Sequence, residues 1–233
     1  MKKTGFTLAE VLITLAIIGV VATMTLPALM NNTQEQQAKT GLKKGINTLT
    51  EAAQTNLAID GFDYGSVQAT TADAASNETQ QSIGTMLSNR TQIDYKITGF
   101  GAAPASNEGK LIDGTNQVIF FRDGSALSVQ STAITPAQAA VQTDGLPAGI
   151  PAIYDYNGAK KPNLLSNCQA NTAKVKGAKT ADVVTDATTG AADSTALAQC
   201  TKANRVIKDQ FEVMLRGGYA YPRGAAATWA YNN

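Results

Sequence analysis

The run from Phe6 to Met30 constrains this chain more than any other feature: it is about 25 residues long and its one charged side chain is Glu10. At ~1.5 Å per residue a helix of that length crosses ~30 Å of hydrocarbon. Lys2 and Lys3 precede the run and no cation follows it until Lys39. That asymmetry holds the N-terminus on the cytoplasmic side and places the bulk of the chain outside. A cleaved signal peptide is one reading, although "VVATMTLPALM" offers no clear A-x-A site. A plain membrane anchor with Glu10 snorkelling at the interface is another. Within either, Thr7-Leu8-Ala9-Glu10 fits the S/T-x-x-E capping box, and a carboxylate in a first turn suits the helix dipole.

Composition narrows the function classes. Charged residues are 16% of the chain, below the usual quarter, which suits a secreted or surface-exposed protein. A net charge of +1 gives no global pull towards nucleic acid or anionic lipid. There is no histidine, so the commonest general base and metal ligand is missing and no Ser/His/Asp or Cys/His arrangement exists. No P-loop, Rossmann fingerprint or zinc spacing occurs either, so neither an enzyme nor a cofactor is expected. Two cysteines, Cys168 and Cys200, lie beyond an export-type N-terminus, which favours a disulfide over two unrelated buried thiols.

A third reading of the N-terminus rests on "KKTGFTLAEVLITLAIIGVVATMTLP". This stretch resembles the start of type IV pilins and of the pseudopilins of type II secretion. The resemblance implies a basic leader ending in Gly5, cleavage between Gly5 and Phe6 by a prepilin peptidase, and N-methylation of Phe6. It also gives Glu10 an assembly role, pairing with the Phe6 ammonium of a neighbouring subunit and setting axial register. An unpaired charge in a membrane costs ~2.5–3.5 kcal/mol on insertion scales, so a partner is favoured. Gly19 and Pro27 fall where such pilins carry helix-loosening residues, and the resemblance implies the same loosening here. The residues alone also allow close packing at Gly19 or a simple kink at Pro27.

After Pro27 the pattern becomes amphipathic, with Leu42, Ile46, Leu49, Ala53 and Leu57 forming one helical stripe. One helix is therefore expected from Phe6 to Ile59, ending at "DGFDYG", with Gly41 and Gly45 marking a bend. A short helix is expected over Thr79–Leu87. Strands follow in "QIDYKITGF", in the hairpin "NQVIFFRDGSALSVQ" turning at Asp123-Gly124, in "GIPAIYDYNG", and in "DQFEVMLRGGYAYP". The stretch between the cysteines has few large apolar residues and cannot build a core of its own. Its likeness to a pilin's disulfide-bounded C-terminal region is loose, because that region usually contains a strand. Asp155 and Asn157 are weak calcium candidates in an otherwise ordinary polar turn. Lys174, Lys176 and Lys179 read as a solvated basic face, with DNA capture as the sharper alternative.

The expected fold is α+β and pilin-like, a long N-terminal helix packed on an antiparallel sheet. The expected organisation is a leader at 1–5, a transmembrane or filament-core half-helix at 6–30, an amphipathic half at 31–59, and a head at 60–233 carrying the insertion 168–200. The resemblance implies an inner-membrane precursor that becomes a periplasmic or surface filament. Its implied partners are copies of itself, other pilins, the prepilin peptidase and an inner-membrane assembly platform. A pilus subunit is preferred to a pseudopilin, because even without its leader the chain is large for a major pseudopilin. A membrane-anchored binding protein that never polymerises is the rival from another class.

Overall fold

The computed structural model describes residues 5, 7–67, 81–98, 116–130, 149–158, 160, 164–168, 197–198, 200–202 and 204–233. The chain divides into two compact units, Met1–Gln37 and Ala38–Asn233. Helix α1 occupies Leu8–Asp60. It starts at Leu8 rather than Phe6 because Thr7 caps it: the Glu10 N–H donates to Thr7 Oγ1 at 3.3 Å. It stops at Asp60, where Gly61 takes φ +76° and closes the last turn onto the Leu57 carbonyl. The helix continues through Gly19 and Pro27 without a break.

In the second unit, α1 contributes Ala38, Leu42, Ile46, Leu49, Ala52 and Ala53 to the core, the stripe expected from the sequence with Ala38 and Ala52 in place of exposed Leu57. Gly41 and Gly45 have a different role from the bend expected of them. A Cβ on Gly41 would lie 2.5 Å from Tyr156 Cβ, and one on Gly45 would overlap the Tyr154 ring. Both glycines let the sheet come close to the helix.

Helix α2 covers Ile83–Arg90, four residues later than expected at its start, because Ser82 is the cap that accepts from the Thr85 N–H at 3.0 Å. It buries Ile83, Met86 and Leu87, and Arg90 reaches back to Asp60 and Asn56 at the end of α1. Among the described residues six strands follow: β1 Ile93–Thr98, β2 Asn116–Phe121, β3 Ala126–Gln130, β4 Ile150–Asp155, β5 Gln210–Arg216 and β6 Tyr219–Pro222. They form one antiparallel sheet in sequence order. The turn after Phe121, with Gly124 at φ +89°, sets the hairpin register so that Ile119 pairs with Leu127. Ile119 and Phe121 therefore join Leu127 and Val129 in the core, while Val118 and Phe120 pack with Ala126 in a separate buried cluster. All seven residues of β5 are buried, polar ones included.

The C-terminal helix α3, Gly224–Asn232, was not expected from the sequence. It follows Pro222 and buries Ala225, Ala226, Ala227 and Ala230, small residues that allow close approach to the sheet. Most of the insertion 168–200, including Lys174, Lys176 and Lys179, lies outside the described residues, as do Phe6 and the leader lysines.

Candidate functional site

Two places carry chemistry: the start of α1 and the polar end of the β4–β5 pair. At the first, Thr7 and Glu10 form a closed capping box. The Thr7 N–H and hydroxyl both donate to Glu10 Oε2 at 2.8 Å, and Thr7 Oγ1 accepts in return from the Glu10 N–H. One carboxylate oxygen thus takes two hydrogen bonds from a residue one turn away, which keeps the charge partnered inside a single chain.

Beyond Glu10 the helix is predominantly apolar as far as Leu26, and none of the span from Leu8 to Leu26 is buried within its own chain. Three threonines interrupt the apolar surface, yet their hydroxyls turn inward. Thr14 donates to the Val11 carbonyl at 3.0 Å, Thr23 to Val20 at 2.8 Å and Thr25 to Val21 at 3.0 Å. That internal satisfaction suits a helix in lipid, where water is not available as a partner. The i−3 and i−4 hydroxyl bonds were not anticipated from the sequence, although Thr in an apolar run is the signal for them. Pro27 has no N–H, so the carbonyl one turn before it, on Thr23, lacks its usual helical donor. Gly19 has no atom of another group within 4 Å of where a Cβ would sit.

At the second place, Asp155 ends β4 and Asn157 lies in the following turn. The Asn157 N–H donates to Asp155 Oδ1 at 2.9 Å, and Asn157 Nδ2 donates to Asp209 Oδ2 at 3.3 Å. Asp155 is fully buried, and burial is the main force that pushes its carboxyl up to about 7, with the Asp209 charge adding to it. Asp209 and Gln210 complete the cluster, and neither was singled out from the sequence. Among the described residues no group of three or more His, Cys, Asp or Glu side chains is placed to hold a metal ion.

Cys168 and Cys200 are joined in a disulfide with Cα atoms 4.7 Å apart. They pack with Ala225 and Ala226 of α3, flanked by Ile207 and Trp229. The Trp229 ring receives Lys39 Nζ of α1 at 4.1 Å and the Arg205 guanidinium at 3.5 Å from its centroid. Cation–π contacts of this kind contribute ~0.5–2 kcal/mol each. One aromatic ring thus links the base of the insertion to the helical core.

The family model for the prokaryotic N-terminal methylation motif matches residues 1–26. The chain carries a prepilin-type N-terminus. With the apolar helix behind that motif, the chain is consistent with a type IV pilin or pseudopilin, and the six-stranded antiparallel sheet completes a pilin-like α+β architecture. The prepilin-type motif indicates processing by a prepilin peptidase, fits a membrane-anchored precursor, and suggests a structural rather than catalytic subunit. No curated protein and no solved structure matches the chain.

Proposed function

We propose that the chain is a subunit of a type IV pilus or related filament, cut between Gly5 and Phe6, N-methylated on Phe6, and polymerised through the apolar half of α1. The observation that carries this reading is the Thr7–Glu10 box placed at the mouth of a bare apolar span, within the matched motif. In the precursor, Thr7 is the partner of Glu10. Cleavage creates an ammonium on Phe6, and an ammonium from a neighbouring subunit is a stronger partner for a carboxylate than a hydroxyl. Exchange of the neutral partner for the charged one turns a self-contained cap into an intersubunit lock. Such a polar pair specifies alignment better than it adds stability. Gly19 and Pro27 give the helix a segment that stretches on packing into the filament, because the Thr23 carbonyl is already without its helical donor.

Intact-mass analysis of chain recovered from cells that carry an assembly platform tests the processing step. The expected mass is that of a chain starting at methylated Phe6; a chain retaining Met1-Lys2-Lys3 overturns the proposal. Glu10→Ala tests the lock. The variant is expected to be cleaved as the parent is and to yield no filaments by electron microscopy. Filaments at the parent level would reject the pairing, and an absence of filaments from the parent as well would favour a non-polymerising membrane anchor.

A further inference from the structure

Where α1 passes Gly45, the end of α2 and the β2–β3 turn leave a cavity of about 300 Å³ against the helix. Every residue that lines it belongs to the unit Ala38–Asn233. The space equals roughly ten waters and falls at the lower end of the range for ligand pockets. Gly45 contributes bare backbone to the wall, and the apolar floor is Leu49, Phe121 and Tyr154, each at most 8% exposed.

The mouth is held from three sides. Lys44 Nζ of α1 donates to Asp123 Oδ2 at 2.7 Å, which ties the helix to the turn. The Arg122 N–H donates to the Gln92 carbonyl at 2.9 Å, which ties the turn to the segment after α2. Arg90 Nε donates to Asn56 Oδ1 at 3.3 Å, which ties α2 back to α1. A pocket with a fixed rim loses little ordering entropy when a ligand enters it.

The charges in the lining do not cancel. Three charged residues line the cavity: Arg90, Arg122 and Asp123. Arg90 is paired with Asp60, and Asp123 with Lys44. Both oxygens of Asp123 are in use, since Oδ1 also accepts from the Ser125 N–H at 3.0 Å and from its hydroxyl at 2.6 Å. Arg122 is exposed and meets no carboxylate among the described residues. With the two ion pairs counted as neutral, one positive charge is left over, on a side chain rich in donors and without an acceptor.

We propose that this cavity binds a small organic monocarboxylate, its carboxylate on the Arg122 guanidinium and its apolar body over Leu49, Phe121 and Tyr154. The guanidinium fork matches the two oxygens of a carboxylate. A ligand with a second negative charge would bring it to a wall that holds the Asp123 carboxylate, and a cation would meet the surplus positive charge. No residue of the N-terminal motif takes part, so the site stands apart from processing and assembly.

Titration of the isotope-labelled full chain in detergent micelles with hydrocinnamate, a phenyl ring on a short carboxylate arm, tests the site by NMR. Saturable shifts are expected at the amides of Thr48, Thr91, Gln92 and Arg122, with a Kd of about 1 mM or tighter. Hydrocinnamamide keeps the body without the charge, and acetate keeps the charge without the body. Each is expected to bind at least about tenfold more weakly. Arg122→Gln, at an exposed turn position, is expected to weaken hydrocinnamate by at least about tenfold and to leave hydrocinnamamide unchanged. Partition of the acid into detergent is the same for parent and variant and drops out of that comparison. No saturable shift in the parent, equal binding of acid and amide, or undiminished affinity in Arg122→Gln overturns the proposal. The comparison of acid with amide in the parent decides the matter if the variant fails to fold.

Discussion

Replacing Gly45 by Ala pits helix propensity against packing, and the structure decides which wins. Gly is about 1 kcal/mol worse than Ala inside a helix, so an unpacked glycine at this position would make the substitution stabilising. Here the new Cβ meets three carbons of the Tyr154 ring, and even the most distant of them, Cε2, would lie 2.8 Å away. Carbon atoms prefer ~3.5–4.0 Å. Tyr154 has little freedom to retreat: it is 3% exposed, it faces Leu127 across the sheet, and its hydroxyl meets Ser125. Overpacking of this kind costs roughly 1–3 kcal/mol, and the rigid ring puts Gly45 at the upper end. After the propensity gain the net loss is about 2 kcal/mol, or roughly 4–8 °C in Tm for a unit of this size. Thermal unfolding of the full chain in detergent, followed by Trp229 fluorescence, reads it. The decisive comparison repeats Gly45→Ala in a Tyr154→Ala background. With the ring gone, the same substitution is expected to stabilise by about 1 kcal/mol, a reversal of sign that only direct contact produces. Stabilisation by Gly45→Ala in the parent would show that the glycine serves flexibility and would refute the close-approach account.

Two further perturbations test the head. Cys168 and Cys200 are 32 residues apart, so replacing both by Ala should lower stability by about 3–4 kcal/mol in the chain-entropy model; equal Tm values for reduced and oxidised chain would contradict it. Arg223 pairs with Glu212 at 2.7 Å, and Glu212 is 5% exposed. Arg223→Met should cost roughly 3 kcal/mol by taking the guanidinium away from that buried carboxylate, and adding Glu212→Leu should recover much of the loss; a double variant as unstable as Arg223→Met alone would show that the ion pair is not the cause.

The strands were legible because their cues are local. Asp123-Gly124 between two alternating runs specifies a hairpin, and the structure places the turn there. What the alternation did not give was the face. Val118 and Ile119 are both apolar, and only the register with Leu127 sends Ile119 to the core and Val118 to the other side. Helix α3 escaped notice because its buried face is alanine, which carries almost no periodic signal of its own. Gly41 and Gly45 were read as weak points for a comparable reason: a missing side chain looks the same whether the chain bends or a neighbour fills the space.

The N-terminal segment was determined by sequence alone. Its cap, its apolar length and its solitary carboxylate act through neighbours one helical turn away, so residue order is enough to define the Thr7–Glu10 box and the span behind it. The polar cluster at Asp155 was decided by tertiary structure. Asp155 and Asp209 lie more than fifty residues apart and become a problem for each other only when the β4–β5 register and residues 164–166 close over them. An exposed aspartate in a turn is an ordinary residue. Buried, with a second one nearby, its carboxyl is pushed above the ordinary range, because desolvation and like charge act at short range and out of water.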